Sequence, residues 1–303
     1  MDQKQLTTFL TAAETLNFTK TANTLNYAQS SVTAQIKSLE ESLGALLFER
    51  LGKRLVLTEA GHRFKKYAEK MVKMSEEAKM AISSENEPTG TLVIGAQESQ
   101  CTYRLPPVLT EFKHLYPHVK LIFKPAHSDE LAREQLMNGA LDAAFIMDVS
   151  KPEESLTIEP LVKEEIKLVA GREHPLAERA LSLKDLEEET FLLTETGCSY
   201  RNLLEISCSK AQVYPLNKFE FGSIEAIKQC IIAGLGVAAL PTMVVEKNLK
   251  DGDMVELKWD NDIPLIHTHI AWHKDKWMSK PLEDFISIAH KLLKTPVLNN
   301  THS

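Results

Sequence analysis

The sequence predicts an α/β protein in two parts. A small helical module with a two-stranded wing and a long trailing helix precedes a body of alternating strands and helices. Three observations predict it. Over residues 3–44 the apolar residues recur at helical spacing. Residues 85–90 (ENEPTG) then combine Pro and Gly with solvated side chains, which places the main boundary there. Beyond Gly90, short apolar strands alternate with helical stretches, and units of that length imply parallel sheets covered by helices. A chain of 303 residues exceeds the usual size of a single domain.

In the first part, Leu6, Phe9, Leu10, Ala13 and Leu16 share one helical face. Thr19 is placed to cap a second helix that buries Ala22 and Leu25. After the break at Asn26-Tyr27-Ala28, a third helix runs over residues 29–42, with Val32, Ile36, Leu39 and Leu43 inward and Gly44 as its stop. Residues 47–57 (LFERLGKRLVL) read as two short strands around Gly52, with basic residues at the tip. Residues 58–84 form a helix of roughly 40 Å. Its narrow stripe of Phe64, Ala68, Met71, Met74 or Ser75, and Ala78 suggests a helix–helix seam; packing on its own module is the alternative.

In the second part, strands are expected at residues 91–96, 119–123, 143–147, 166–169, 191–194, 236–240 and 265–272. Helices are expected at 105–115, 129–138, 224–233 and 281–293. Two such sheets joined by crossovers leave a cleft, the usual place for a small ligand.

Composition excludes several classes. With 43% hydrophobic and 25% charged residues, the chain is neither disordered nor collagen-like. The longest apolar run, residues 230–241 (CIIAGLGVAALP), is too short to span a bilayer, and the N-terminal MDQKQL carries no signal-peptide pattern. No membrane partner and a cytoplasmic location are therefore expected. Four scattered cysteines lack zinc spacing, so free thiols and no metal are expected. The net charge of −7 is uneven: residues 1–90 carry twelve basic and eleven acidic side chains, and residues 18–66 eight against four. A basic block on an acidic body suits a polyanion-binding module.

On the third helix, the residues opposite the apolar face are Ser30, Ala34, Lys37 and Glu41, with Thr33 beside them. Small hydroxyls, a methyl and one amine fit a major groove. Gln29 offers both donor and acceptor to adenine, and Ala34 or the Thr33 methyl suits thymine. Ser30, Ser31 and Lys37 reach phosphates or base edges, while Lys53 and Arg54 suit the backbone. An ordinary solvated face is the alternative.

Residues 1–66 resemble the winged helix-turn-helix of LysR-type transcriptional regulators. The likeness rests on Phe9, Ala13-Glu14, Asn17-Phe18-Thr19, Ala22, Leu25, Gln29-Ser30, Val32-Thr33, Gln35-Ile36, Leu39-Glu40, Leu43-Gly44, Leu47-Phe48, Arg50 and Leu57-Thr58-Glu59-Ala60-Gly61. It continues through Pro160-Leu161, Glu164-Glu165, Leu168-Val169 and His174-Pro175-Leu176-Ala177 to Gly234-Leu235-Gly236-Val237 and Leu240-Pro241. Ala28 stands where a Ser or Thr commonly caps the recognition helix, and Thr21 where alanine is usual. The resemblance implies a DNA-binding module at residues 1–57 that uses Thr19 and the helix and wing residues named above. It implies a dimerisation helix at 58–85, a hinge at 86–90, and a periplasmic-binding-protein-like effector domain at 91–303. Lobe I of that domain would span 91–161 and 266–303, and lobe II 162–265. Promoter DNA, a homodimer assembling into a tetramer, RNA polymerase and a small polar or anionic effector are the implied partners, with no cofactor and no enzymatic activity.

Ligands sit beyond the carboxyl ends of parallel strands. That rule nominates Ser99, Gln100, Thr102, Ser128, Thr196 and Ser223 as effector contacts, with Arg104, Arg133 and Arg201 as anion partners. Gly234-x-Gly236 follows a helix and precedes a strand, the reverse of a phosphate loop, and reads as a helix C-cap. His267 and His269 share a strand face, but no third metal ligand is suitably spaced. Cys198 and Cys208, ten residues apart, are placed like the redox pair of the family's peroxide sensors, which makes a thiol switch the alternative to an effector. A binding protein or enzyme on the same fold is the remote alternative, without a catalytic motif to support it.

Overall fold

The computed structural model describes residues 1–52, 54–82, 88–126, 128–148, 152–177, 180–259 and 264–293. It divides into two compact units, Met1–Gly90 and Thr91–Ser303.

The N-terminal unit comprises α1 (Gln3–Thr15), α2 (Phe18–Leu25), α3 (Gln29–Leu43), the antiparallel hairpin β1 (Phe48–Leu51) and β2 (Arg54–Leu57), and α4 (Glu59–Ile82). Asp2 opens α1 with a reciprocal capping box to Gln5. The cap of α2 is Asn17, whose Oδ1 accepts the Lys20 N–H at 3.0 Å. Thr19 already lies inside that helix, so the expected cap shifts by two residues. Phe9 centres the core, its ring 5.6 Å from Phe48 and 5.0 Å from Phe64. Ala12, Ala22, Val32, Ile36, Leu39 and Leu47 surround it. The last members of two expected stripes fall outside this core. Leu16 adopts a left-handed conformation, φ +48°, that turns it off the helical face, and Leu43 ends α3 just before the left-handed Gly44.

Helix α4 is about 36 Å long. Its apolar stripe is divided between two fates. Phe64, Ala68, Met71 and Val72 pack into the core of their own unit, whereas Met74 and Ala78 lie exposed. Thr58 fixes where the helix begins: its hydroxyl donates to the Leu46 carbonyl at 2.6 Å and accepts the Gly61 N–H at 3.0 Å. Gly61 is needed here for space, since a Cβ would lie 2.1 Å from the Leu47 carbonyl oxygen.

The second unit has two lobes. Lobe I is a five-stranded sheet of order β4-β3-β5-β12-β6. Its strands are β3 (Gly90–Ala96), β4 (Val119–Pro125), β5 (Ala143–Asp148), β6 (Leu156–Glu164) and β12 (Ile266–His273). It is accompanied by α5 (Glu98–Tyr103), α6 (Pro106–Leu115), α7 (Asp129–Met137) and α11 (Lys280–Leu293). Ile94, Phe112, Phe145, Ile270 and Phe285 form its core. Lobe II contains β7 (Ile166–Gly171) between β10 (Ala238–Pro241) and β11 (Met254–Glu256), and the parallel pair β8 (Thr190–Thr194) and β9 (Asn217–Phe221). Helices α8 (Ser199–Lys210), α9 (Ile224–Ile232) and α10 (Thr242–Asp251) complete it.

Neither the five-stranded sheet nor the β10-β7-β11 sheet is purely parallel, which corrects the expectation; the two-stranded β8–β9 sheet is parallel. In lobe I, β3 and β5 are parallel, but β12 runs antiparallel to both β5 and β6. In lobe II, β10 and β11 are joined through α10, as a strand–helix–strand pattern demands, yet they flank β7, which runs against both. The pattern along the chain is sound; the strand that fills the gap arrives from elsewhere. Gly234 (φ +77°) closes α9 with a Schellman pair, Leu235 N–H to Cys230 and Gly234 N–H to Ile231, which is the C-cap expected.

Candidate functional site

Two regions have the chemistry to act on other molecules. The first is α3. Its inward side is spent on the module: Gln35 accepts the Thr8 hydroxyl at 2.8 Å, and Ser38 accepts Gln5 Nε2 at 3.1 Å. Its outward side exposes Gln29, Ser30, Ser31, Thr33, Ala34 and Lys37 together. Lys37 is 76% exposed and only 3.8 Å from Glu41, a solvated pair worth little to stability. No side chain caps the N-terminus at Ala28. Thr19 on α2 and Arg54 at the start of β2 are exposed as well; Lys53 lies outside the described residues. Glu40, whose role the sequence did not reveal, holds the wing to the helix. Its Oε1 accepts the N–H groups of Leu47 at 2.7 Å and Phe48 at 3.1 Å. A Glu seven residues ahead of an apolar pair was the available signal.

The second region is the cleft between the lobes, a cavity of about 380 Å³. The end of β3 and the start of α5 line it from lobe I through Gln97, Glu98, Ser99 and Cys101, with Phe123 and Lys124 from β4. Thr194, Glu195, Cys198, Tyr200, Phe221 and Gly222 line it from lobe II. One buried polar atom of the residues on this lining, Gln97 Oε1, has no partner, while Ser99 pairs with the Tyr200 hydroxyl and Thr194 with the Cys198 thiol. Burying such an atom unpaired costs on the order of 1–3 kcal/mol, so the Gln97 amide oxygen is a natural contact for a ligand.

The lobes also meet directly. Glu98 Oε2, from lobe I, accepts the Ile224 N–H at the start of α9 at 2.9 Å. Gln97 Nε2 donates to Ser199 Oγ at 3.3 Å, and Ser199 donates to Asp129 Oδ2 at 2.5 Å. Asp129 also accepts the Met147 N–H, yet burial outweighs these hydrogen bonds and raises its carboxyl to about 6. Lys228, buried in lobe II, donates to the Tyr103 hydroxyl at 3.0 Å.

Of the six nominated effector contacts, Ser99 lines the cavity. Gln100 turns away from it and donates to Thr268 at 2.9 Å; Thr268 in turn donates to Glu164, which Arg104 holds at 2.9 Å. Ser128 caps α7 through the Leu131 N–H, and its Cβ lies 2.9 Å from where a side chain on Gly197 would begin. Thr102, Thr196 and Ser223 are exposed, and Ser223 precedes α9 without capping it through its side chain. Gln97 and Glu98 escaped the reading because an amide and a carboxylate at a strand end look like ordinary solvated groups.

The nominated arginines are engaged: Arg104 with Glu164, Arg133 with Asp148, and Arg201 with Glu205, Glu220 and the Thr194 carbonyl. Cys198 and Cys208 stand at opposite ends of α8, so about 15 Å of helix separates them, far beyond the reach of a disulfide. Burial pushes both thiols up, and hydrogen bonds around Cys198 offset this only in part. His269 is held below its usual value by burial, with Asp148 opposing. Among the described residues no His, Cys, Asp and Glu cluster could hold a metal, and no helix is long and apolar enough to cross a membrane.

A winged helical module joined to a two-lobed α/β domain with a small-molecule cleft defines a class of DNA-binding regulators with an effector domain. The sequence profile of the bacterial regulatory helix-turn-helix protein, lysR family, matches residues 3–62, and that of the LysR substrate binding domain matches residues 85–294. The chain belongs to the LysR family of DNA-binding transcriptional regulators. It is 59% identical to YwqM of Bacillus subtilis, an HTH-type transcriptional regulator, over 97% of this chain and all of the relative. It is 32% identical to GltR of the same organism over 95% of each. In three dimensions it shares the fold of the LysR family regulator CbnR, with a TM-score of 0.69 at 20% identity over 97% of this chain and all of that one. A full-length OxyR variant of Pseudomonas aeruginosa superposes with a TM-score of 0.67 at 24% identity, covering 97% and 94% of the two chains.

Proposed function

We propose that this regulator reads promoter DNA with α3 and that a small polar molecule in the interlobe cleft modulates the binding. The observation that carries the first half is the unbroken exposed face of Gln29, Ser30, Ser31, Thr33, Ala34 and Lys37, beside a wing that Glu40 fixes in place. The helix supplies base selectivity, and Thr19, Lys37, Lys53 and Arg54 supply phosphate contacts and most of the affinity. A crystal structure of CbnR with its target DNA bears on this reading, at 19% identity and a TM-score of 0.67.

A cavity of about 380 Å³ with a polar lining, which includes Gln97 with its buried, unpartnered amide oxygen, supports the second half. Ser99 is its foremost contact, and Gln100, Thr102, Ser128, Thr196 and Ser223 remain candidates if the lobes shift. The chain works as a cytoplasmic homodimer through the face of α4 that carries the exposed Met74 and Ala78, assembled into a tetramer that contacts RNA polymerase. Effector binding shifts the lobes and their packing, and with it the DNA bend.

Cutting the chain after Gly90 tests the reading. Residues 91–303 should lose DNA binding and keep their ligand. Retention of specific DNA binding by that fragment would refute the assignment of α3.

A further inference from the structure

The sequence leaves the effector's chemistry between polar and anionic, and the cleft itself decides further. The N-terminus of α9 opens onto it, the place where a carboxylate-bearing ligand would be expected to dock. That place is taken: Glu98 reaches across from lobe I and accepts the Ile224 N–H at 2.9 Å. A second carboxylate, Glu195, lines the same cavity, against Lys124 as the one basic side chain among the described lining residues.

The amide of Gln97 supplies an independent observation. Its residue is 6% exposed, and its orientation is fixed by a one-way chain. Ser199 gives its only proton to the Asp129 carboxylate, so it must accept from Gln97, and the nitrogen of Gln97 therefore points to Ser199. The oxygen of this cleft-lining residue is left buried and without a partner. An amide oxygen accepts and cannot donate. The fixed polar atom of the cleft thus calls for a donor, and the neighbouring charges call for a positive one. Phe221 adds an aromatic ring from the lobe II wall, suited to an alkyl body or to a cation over its face.

Resting on the cleft as the effector site, we infer that the effector carries an ammonium or guanidinium group on a small apolar body. The nitrogen donates to Gln97 Oε1 and is balanced by Glu98 and Glu195. Lys124 leaves room for a hydroxyl or carboxylate at the other end.

The test is the melting temperature of the full-length protein with millimolar putrescine, cadaverine and agmatine, against succinate, glutarate and sulfate at matched ionic strength. The amines should raise it and the anions should not. Glu98→Gln keeps an oxygen for the Ile224 N–H and removes the charge, so it should weaken the amines about tenfold, which corresponds to about 1.4 kcal/mol. Glu195→Gln should act in the same direction. Stabilisation by the anions and not by the amines would overturn the inference and leave the cleft as the effector site. Stabilisation by neither set would overturn both. An amine shift that survives unchanged in Glu98→Gln and Glu195→Gln would place the amine elsewhere and refute the inference.

Discussion

Replacing Asp129 by Asn should change how stability depends on pH, and the size of the change follows from where the carboxylate sits. In the folded chain the carboxyl is raised from 3.8 to about 6, chiefly by burial, with Asp148 and Glu130 adding to the rise. A gap of about 2 pH units corresponds to about 3 kcal/mol at about 1.36 kcal/mol per unit. Between about pH 4 and pH 6 the folded chain keeps this proton while the unfolded chain has released it. Stability contributed by Asp129 is therefore full below about pH 4 and is lost as pH rises through 6. Asn cannot ionise, but its carbonyl can still accept the Met147 N–H and its amide can donate to Ser199. Melting curves of the wild type and Asp129→Asn from about pH 4 to pH 7 should therefore diverge, the variant gaining relative stability as pH rises. Other titrating groups cancel in the difference. Parallel curves, or a wild type that gains on the variant with rising pH, would refute the reasoning.

Gly61→Ala drives a Cβ to 2.1 Å from the Leu47 carbonyl and 2.9 Å from Leu57 Cδ2. Calorimetry should show the N-terminal unit destabilised by about 1–3 kcal/mol while the body is unchanged. Lys37→Ala and Arg54→Ala should each lower the slope of log affinity for operator DNA against log salt by about 1; an unchanged slope would remove that residue from the phosphate contacts. Native protein treated with mild peroxide should keep Cys198 and Cys208 alkylatable, because burial keeps both protonated and α8 holds them apart. Rapid formation of a Cys198–Cys208 disulfide would show that α8 unwinds and would restore the thiol switch.

The elements legible in the sequence were those whose apolar spacing is also their burial pattern. α1, α3, β3, β5 and α9 fall within a residue or two of expectation for that reason. α5 is absent from the expected helices because six residues, ESQCTY, have too short a run to show a period and no side-chain cap to announce it. β6 escaped because its alternation is interrupted by Pro160, where β12 is also irregular. The division of the α4 stripe was invisible as well: helical spacing says which residues share a face, and not whether the partner is the chain's own core. In the cleft, Ser99 could be nominated from its place after a strand. The roles of Gln97, Glu98 and Asp129 depend on what lobe II brings to them from about a hundred residues away.

Those roles converge on α5, the shortest α-helix among the described residues of the body. From its start, Glu98 holds α9, and the preceding Gln97 holds Ser199 at the head of α8. From its far side, Gln100 and Arg104 both reach Glu164 on β6, one through Thr268 and the other directly, beside the point where the chain passes from β6 to β7. A ligand touching Ser99 and Glu98 therefore meets a helix tied at one end to the opposite lobe and at the other to the crossing between lobes. Binding can move the lobes only by favouring one arrangement of these ties over another. Because Glu98 already neutralises the α9 terminus, a ligand that pairs with Glu98 weakens that tie, whereas one that leaves it alone strengthens closure by filling the cavity. The sign of the response should thus be set at Glu98: Glu98→Gln, with its hydrogen bond kept and its charge gone, should bind DNA as the ligand-free wild type does and respond to amines at about tenfold higher concentration.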